Sequence, residues 1–151
     1  ANRRFLSYVK TGFGINLDFT TNNERKVFLQ LQDRAERDIR TGDLVALGVG
    51  GSPSFLYYDE RTFGINLKYA KSPAYEWRIF GASGELGKPI AMGEAVAIVN
   101  IKVKPDPDFL IYLKRPAGSD IGWTTSPGWA DRFRRAYELG KKAAKVIKFL
   151  I

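Results

Sequence analysis

The chain has 151 residues, 44% hydrophobic and 26% charged, the composition of one globular domain that can bury a core without disulfide or metal staples. Cysteine and histidine are absent, which excludes disulfides, thiolate nucleophiles, serine-histidine triads and Cys/His zinc sites. With 24 Lys and Arg against 16 Asp and Glu the net charge is +8, a balance that favours anionic partners at long range and says nothing about fold.

The opening ANRRFLSYVK has no apolar leader core, and no apolar run approaches the length of a membrane span, so a cytoplasmic and a secreted address both fit. RFLSYV, GINLDF, KVFLQLQ and DLVALGV then read as short alternating or apolar strands separated by turn signals. GVGGSP at 48–53 lacks the lysine and following helix of a phosphate-binding loop and reads as a connection. SFLYYD, GINLKY, YEWRIF and EAVAIVN form a second set of four strands. KVKPDPDF, with alternating prolines, is an extended surface segment leading into DFLIYLKR at 108–115. The last stretch, SPGWADRFRRAYELGKKAAK, starts with an N-cap Ser and a first-turn Pro, and Trp129, Phe133, Ala136 and Tyr137 recur at helical spacing. A short amphipathic helix is expected over 127–144, with Arg132, Arg134, Arg135, Lys141 and Lys142 facing water.

Repetition organises these elements. FGINL occurs at 13–17 and again at 63–67, and each copy follows a Phe-Leu-x-Tyr phrase: Phe5, Leu6, Tyr8 and then Phe55, Leu56, Tyr58. A third such phrase is Phe109, Leu110, Tyr112, so the spacings are 50 and 54 residues. SDIGW at 119–123 occupies the place of a third FGINL, aligning Ile121 with Ile15 and Ile65, Trp123 with Leu17 and Leu67, and Gly122 with the Asn. GDLVAL at 42–47 and GEAVAI at 93–98 are a second shared phrase, with KVIKFLI at the corresponding offset, so that Val45, Val96 and Phe149 correspond. ELGK recurs at Glu85 and Glu138.

Three units of four short strands, together covering essentially the whole chain, resemble the β-trefoil superfamily. The resemblance implies an all-β, single domain over 1–151 with pseudo-threefold repeats at approximately 4–53, 54–107 and 108–151, and a helical insertion in the third. One unit cannot bury its own apolar face, whereas three around an axis bury one another's and leave few open edges. Phe5, Phe55, Phe109 and their Leu neighbours are then core or near-core residues. Ile and Leu of FGINL point to one side of a strand, Gly14 and Gly64 permit tight backbone, and Asn16 and Asn66 point the other way, chiefly as scaffold.

No constellation names a reaction. Asp59 with Glu60, and Asp106 with Asp108, are carboxylate pairs without any sign of a shared cleft. A non-catalytic binding protein without cofactor or metal is expected. Trefoils of this kind serve as lectins, protease inhibitors, heparin- and receptor-binding factors, and actin-binding proteins. The Gln-x-Trp mark of ricin-type lectins is absent, since QLQ at Gln30 to Gln32 lacks the Trp. A sugar site needs an aromatic platform beside short polar groups. Tyr57, Asp59 and Asn66 in the second unit, and Asp18, Thr20 and Asn22 in the first, are the candidates, and repetition allows up to three multivalent sites.

Carbohydrate recognition is the leading reading. Its alternative is an interaction protein whose basic segment, Arg132, Arg134, Arg135, Lys141, Lys142 and Lys145, binds an acidic protein or polymer such as actin, as fascin-like trefoils do, or a heparin-like glycan. A protease inhibitor, projecting KVKPDPDF or AGSDIG, is the third. Nucleic acid ranks lower because few aromatics interleave with the basic run, and membrane-surface binding by the helix is a minor alternative because packing on the barrel explains its aromatics equally well.

Overall fold

The computed structural model describes residues 5–10, 12, 15–21, 27–50, 54–63, 65–94, 96–103, 108–112 and 121–124. The helix expected over 127–144 and its basic residues lie outside the described residues. Among the described residues the chain is all-β: β1 (Phe5–Ser7), β2 (Asp18–Thr20), β3 (Val27–Leu31), β4 (Leu44–Val49), β5 (Ser54–Tyr58), β6 (Leu67–Ala70), β7 (Trp77–Gly81), β8 (Val96–Asn100), β9 (Asp108–Tyr112) and β10 (Ile121–Thr124). β1 and β2 form a two-stranded sheet; the other eight join in one antiparallel sheet in the order β10-β9-β8-β7-β4-β5-β6, with β3 also on β4.

Alternation along each strand divides the large sheet into two faces. Pairing aligns Leu29, Leu47, Leu56 and Tyr69 in one row across β3 to β6. A second row runs Leu31, Val45, Trp77 and Asn100. Leu47, Leu56, Val45 and Trp77 are fully buried and belong to the main core with Ile15, Leu17, Ile65, Leu67 and Ile79. Each buried Leu or Ile contributes about 1.5–3 kcal/mol relative to exposure. On the opposite face Phe28, Gly48, Phe55 and Ala70 form a row. A Cβ on Gly48 would sit 2.2 Å from the Phe28 ring, which lies over it and meets Phe55 edge-on at 5.9 Å. Expected core residues Phe55 and Phe109 are therefore buried, but on this outer face rather than in the main cluster.

One strand edge is shared. β4 gives Leu47, Gly48 and Val49 to β5 but Leu44 and Val45 to β7, both on the edge away from β3. Two strands leaving the same edge must splay, and the sheet curls at this fork. Where continued pairing would bring Tyr58 opposite Val45, Trp77 stands instead. Side chains bridge the gap: Glu76 Oε1 accepts from the Tyr58 N–H and from Asn100 Nδ2 (2.9 Å), and Trp77 Nε1 donates to the Leu56 carbonyl at 2.9 Å. Glu76 and Asn100 are both buried, and a buried polar group needs such partners.

Corresponding phrases pair alike. Phe5↔Thr20, Phe55↔Ala70 and Phe109↔Thr124 are one pairing displaced by 50 and then 54 residues. Val27↔Val49 reappears as Trp77↔Asn100, and Gly48↔Phe55 as Val99↔Phe109. GDLVAL and GEAVAI each begin with a turn closed from residue four to residue one, Asp43 N to Arg40 O and Glu94 N to Ala91 O, both 3.0 Å. Gly42 and Gly93 occupy its third position at φ 93° and 79°, a conformation that costs an L-residue but not glycine.

The acid after each glycine tightens its turn. Asp43 Oδ2 accepts from Arg40 N at 2.7 Å and from Arg37 at 2.8 Å; Glu94 accepts from Ala91 N at 2.9 Å and Ala82 N at 2.8 Å. Burial pushes the Asp43 carboxyl up, but the Arg37 and Arg40 hydrogen bonds outweigh it and hold it below the usual range; the Ala91 and Ala82 N–H groups lower Glu94 likewise. Both groups bind fewer protons folded than unfolded. Their stabilisation is complete above the unfolded carboxylate range of about 4 and is lost as pH falls through the lower folded values. The urea midpoint should therefore drop below about pH 4, and an Asp43→Asn, Glu94→Gln double variant should show a flatter acid limb.

A further matched turn carries strain on one side only. Arg34 N bonds Leu31 O at 3.1 Å and Gly84 N bonds Gly81 O at 3.2 Å, with φ 53° at Arg34 and 68° at Gly84. Arg34→Gly relieves left-handed strain at the expense of unfolded-state entropy, so a net gain of roughly 0.5 kcal/mol in urea unfolding is expected.

FGINL is explained largely by packing. Ile15, Leu17, Ile65 and Leu67 are all buried, and Leu17 N to Ile15 O and Leu67 N to Ile65 O, each 2.8 Å, make the same three-residue turn around Asn16 and Asn66. The Ile-Asn-Leu segment is thus a turn with both apolar residues inward, not a straight strand. Tyr69 donates to the Asn16 carbonyl at 2.8 Å and packs 6.2 Å from Tyr8, and its hydroxyl is pushed up by burial and then by Tyr8.

The third unit requires a correction. Ile121 pairs with Tyr112 as Leu67 does with Tyr58, and Trp123 pairs with Leu110 as Tyr69 does with Leu56. The expected alignment of Ile121 with Ile65, and of Trp123 with Leu67, is off by two residues. In sequence alone, the 54-residue offset set by these pairings brings AGSDI at 117–121 into line with FGINL at 63–67. Ring packing shows why: Trp123 lies 6.2 Å from Tyr58, as Tyr69 lies from Tyr8, and stacks on Trp77 at 5.9 Å.

Candidate functional site

The hairpin of β5 and β6 turns polar side chains outward beyond the Phe28, Gly48 and Phe55 row. Tyr57, two residues after Phe55, shares its face and pairs with Lys68. Asp59 follows immediately after β5, and its Oδ2 lies 2.5 Å from Lys68 Nζ. Side-chain exposures of 48% for Lys68 and 37% for Asp59 keep the pair accessible. The Asp59 hydrogen bond, then its charge, holds the Lys68 ammonium above its ordinary value, so this cation stays protonated through the physiological range.

Backbone and side-chain bonds fix the base of the hairpin. Asp59 N donates to Asn66 O at 3.3 Å, and Asn66 Oδ1 accepts from Arg61 N at 3.0 Å. Arg61 Nη1 reaches the Leu67 carbonyl at 3.5 Å. Gln30 on β3 pairs with Ala46 and so sits on the same outer face; its Nε2 donates to the Tyr75 hydroxyl at 2.7 Å. Ala46 is fully buried beneath this polar layer.

Of the expected residues, Tyr57 pairs across the hairpin with Lys68, and Asp59 forms the ion pair with that same Lys68. Asn66 is adjacent, but its Oδ1 is committed to the loop. Asp18 lies in β2 opposite Ser7, in the other sheet, and is not part of the group. The side chain of Thr20, Asn22 and the basic set Arg132, Arg134, Arg135, Lys141, Lys142 and Lys145 lie outside the described residues.

Sequence reasoning missed Lys68, Gln30 and Tyr75. Outward alternation in VFLQLQ and LKYA marks Gln30 and Lys68 as surface residues, but only the pairing register shows which neighbours they meet. Nothing in the sequence marks Tyr75. Displaced by 50 residues, the positions of Tyr57, Asp59 and Lys68 hold Ser7, Val9 and Asp18; displaced by 54 they hold Ile111, Leu113 and Gly122. The aromatic, carboxylate and ammonium combination of Tyr57, Asp59 and Lys68 is not repeated at either displaced set of positions.

Chemically the group offers a ring face, a carboxylate acceptor, an ammonium donor and an amide. Among the described residues no group of His, Cys, Asp or Glu is arranged to hold a metal ion, and no helix is long and apolar enough to cross a membrane. Comparison with family models, with curated proteins and with solved structures gives no match.

Proposed function

We propose that the chain is a non-catalytic carbohydrate-binding module of β-trefoil architecture, with its glycan site on the β5 and β6 hairpin. The trefoil part is supported by strand pairings and turns that recur at displacements of 50 to 54 residues, and by Ser72-Pro73 returning as Ser126-Pro127 at the 54-residue displacement. Fold analogy alone does not give function.

The observation that carries the binding reading is Tyr57 beside the accessible Asp59 and Lys68 pair. A pyranose has an apolar face that stacks on an aromatic ring and a rim of hydroxyls that both donate and accept. Asp59 accepts, Lys68 donates, and their charges cancel, which suits a neutral sugar better than a polyanion. Because the set is not repeated at the displaced positions, this site does not supply the avidity of a three-site lectin.

The test is a screen of neutral and sulfated glycans at about 0.05 and 0.5 M salt, a range that strongly changes screening. Binding of a neutral glycan that persists at high salt is the expected result. Binding confined to sulfated glycans at low salt overturns the proposal in favour of an anionic partner on the basic C-terminal segment.

A further inference from the structure

We infer that Phe63 is a second aromatic platform of this glycan site, placed at the tip of the β5 to β6 loop to cover the apolar face of a sugar whose hydroxyls meet Asp59 and Lys68. The inference rests on the carbohydrate reading and adds a contact residue to it. In the second FGINL, Ile65 and Leu67 are buried and Asn66 centres the turn and accepts from Arg61. Phe63 has no such occupation: its side chain is 84% exposed. Phe28, also exposed, is 41% open and leans on Gly48 and Phe55, so its ring has a structural use. A Phe ring left open to water forgoes the burial that normally favours it, and loops on rigid hairpins are where recognition residues concentrate.

The loop is held for this purpose. Its base is closed by the bond from Asp59 N to Asn66 O, and Asn66 and Arg61 brace its interior. Phe63 and Asp59 therefore belong to one connection whose base is fixed, with Lys68 at the start of the strand that follows it. Along the loop and the start of β6, the acids Asp59 and Glu60 are balanced in number by Arg61 and Lys68. That balance gives no attraction to an anionic membrane surface or polyanion, and leaves a neutral ligand with an apolar face and a hydroxylated rim as the occupant.

The experiment titrates the whole chain, its Phe63→Ala variant and its Phe63→Trp variant with lactose, maltose, cellobiose and N,N′-diacetylchitobiose by calorimetry, with thermal midpoints recorded alongside. For the disaccharide that the unaltered chain binds, Phe63→Ala should weaken affinity roughly tenfold, Phe63→Trp should retain it, and all midpoints should agree. Equal affinity for the Ala variant overturns the inference and leaves the carbohydrate reading standing. A lowered midpoint for the Ala variant overturns it too, by showing a packing role. Absence of binding by the unaltered chain overturns both.

Discussion

Replacing Glu76 with Ala should lower the unfolding free energy by roughly 3–5 kcal/mol, a large fraction of the 5–15 kcal/mol or so that holds a typical domain folded. Glu76 Oε1 accepts from both the Tyr58 N–H and Asn100 Nδ2. Asn100 is completely buried and Glu76 nearly so. Alanine leaves a buried donor on Asn100 and a partly buried one on Tyr58 without an acceptor, each costing about 1–3 kcal/mol when fully buried. It also opens the fork where β5 and β7 part from β4. Glu76→Gln keeps one acceptor oxygen and should lose only about 1 kcal/mol. Urea unfolding of both variants checks this: a loss under about 1 kcal/mol for Glu76→Ala would mean that the fork is held by packing alone.

Tyr57→Ala should weaken glycan affinity at least tenfold, about the loss expected from a central aromatic anchor. The ring is half-buried and belongs to the outer face, away from the main core. Its removal should therefore reduce binding far more than stability. Asp59→Asn should reduce affinity less, because the amide oxygen still accepts from a sugar hydroxyl while the ion pair with Lys68 is lost. Calorimetric titration of the two variants against the same disaccharide separates stacking from hydrogen bonding. Unchanged affinity in Tyr57→Ala would place the ligand elsewhere on the chain.

Much of the fold is written in local chemistry that a sequence shows directly. Apolar alternation marks β3 to β8, and the two GDLVAL-like phrases announce the glycine turns at Gly42 and Gly93, because a positive φ strongly restricts the choice of residue. The third unit was less legible. SDIGW shares only its central Ile with FGINL, and the pairing of Ile121 with Tyr112 and of Trp123 with Leu110 sets a different register, in which Trp123 packs against Tyr58 and Trp77. The fork was not legible at all. Whether Tyr58 or Trp77 takes the edge of Val45 depends on competition between strands far apart in sequence, and YEWRIF reads as an ordinary strand without revealing that Glu76 closes the gap.

The candidate site follows the same division. Tyr57 and Asp59 stood out because an aromatic and an acid two residues apart fall on one strand face. Lys68 joined them only through the pairing Tyr57↔Lys68, while Gln30↔Ala46 places Gln30 on the same outer face of the sheet. Asn66, read chiefly as scaffold and also named as a ligand contact, centres the three-residue turn that Ile65 and Leu67 close.

The central claim, a neutral-glycan site on the β5 and β6 hairpin, is tested most directly by following backbone amide resonances of the isotopically labelled chain during titration with the disaccharide it binds. Shifts gathered on Tyr57 to Lys68, with Gln30 and Tyr75, are the predicted result. Shifts confined to the segment from Arg132 to Lys145, and fading as salt is raised, would contradict the account and make the basic C-terminal segment the binding surface.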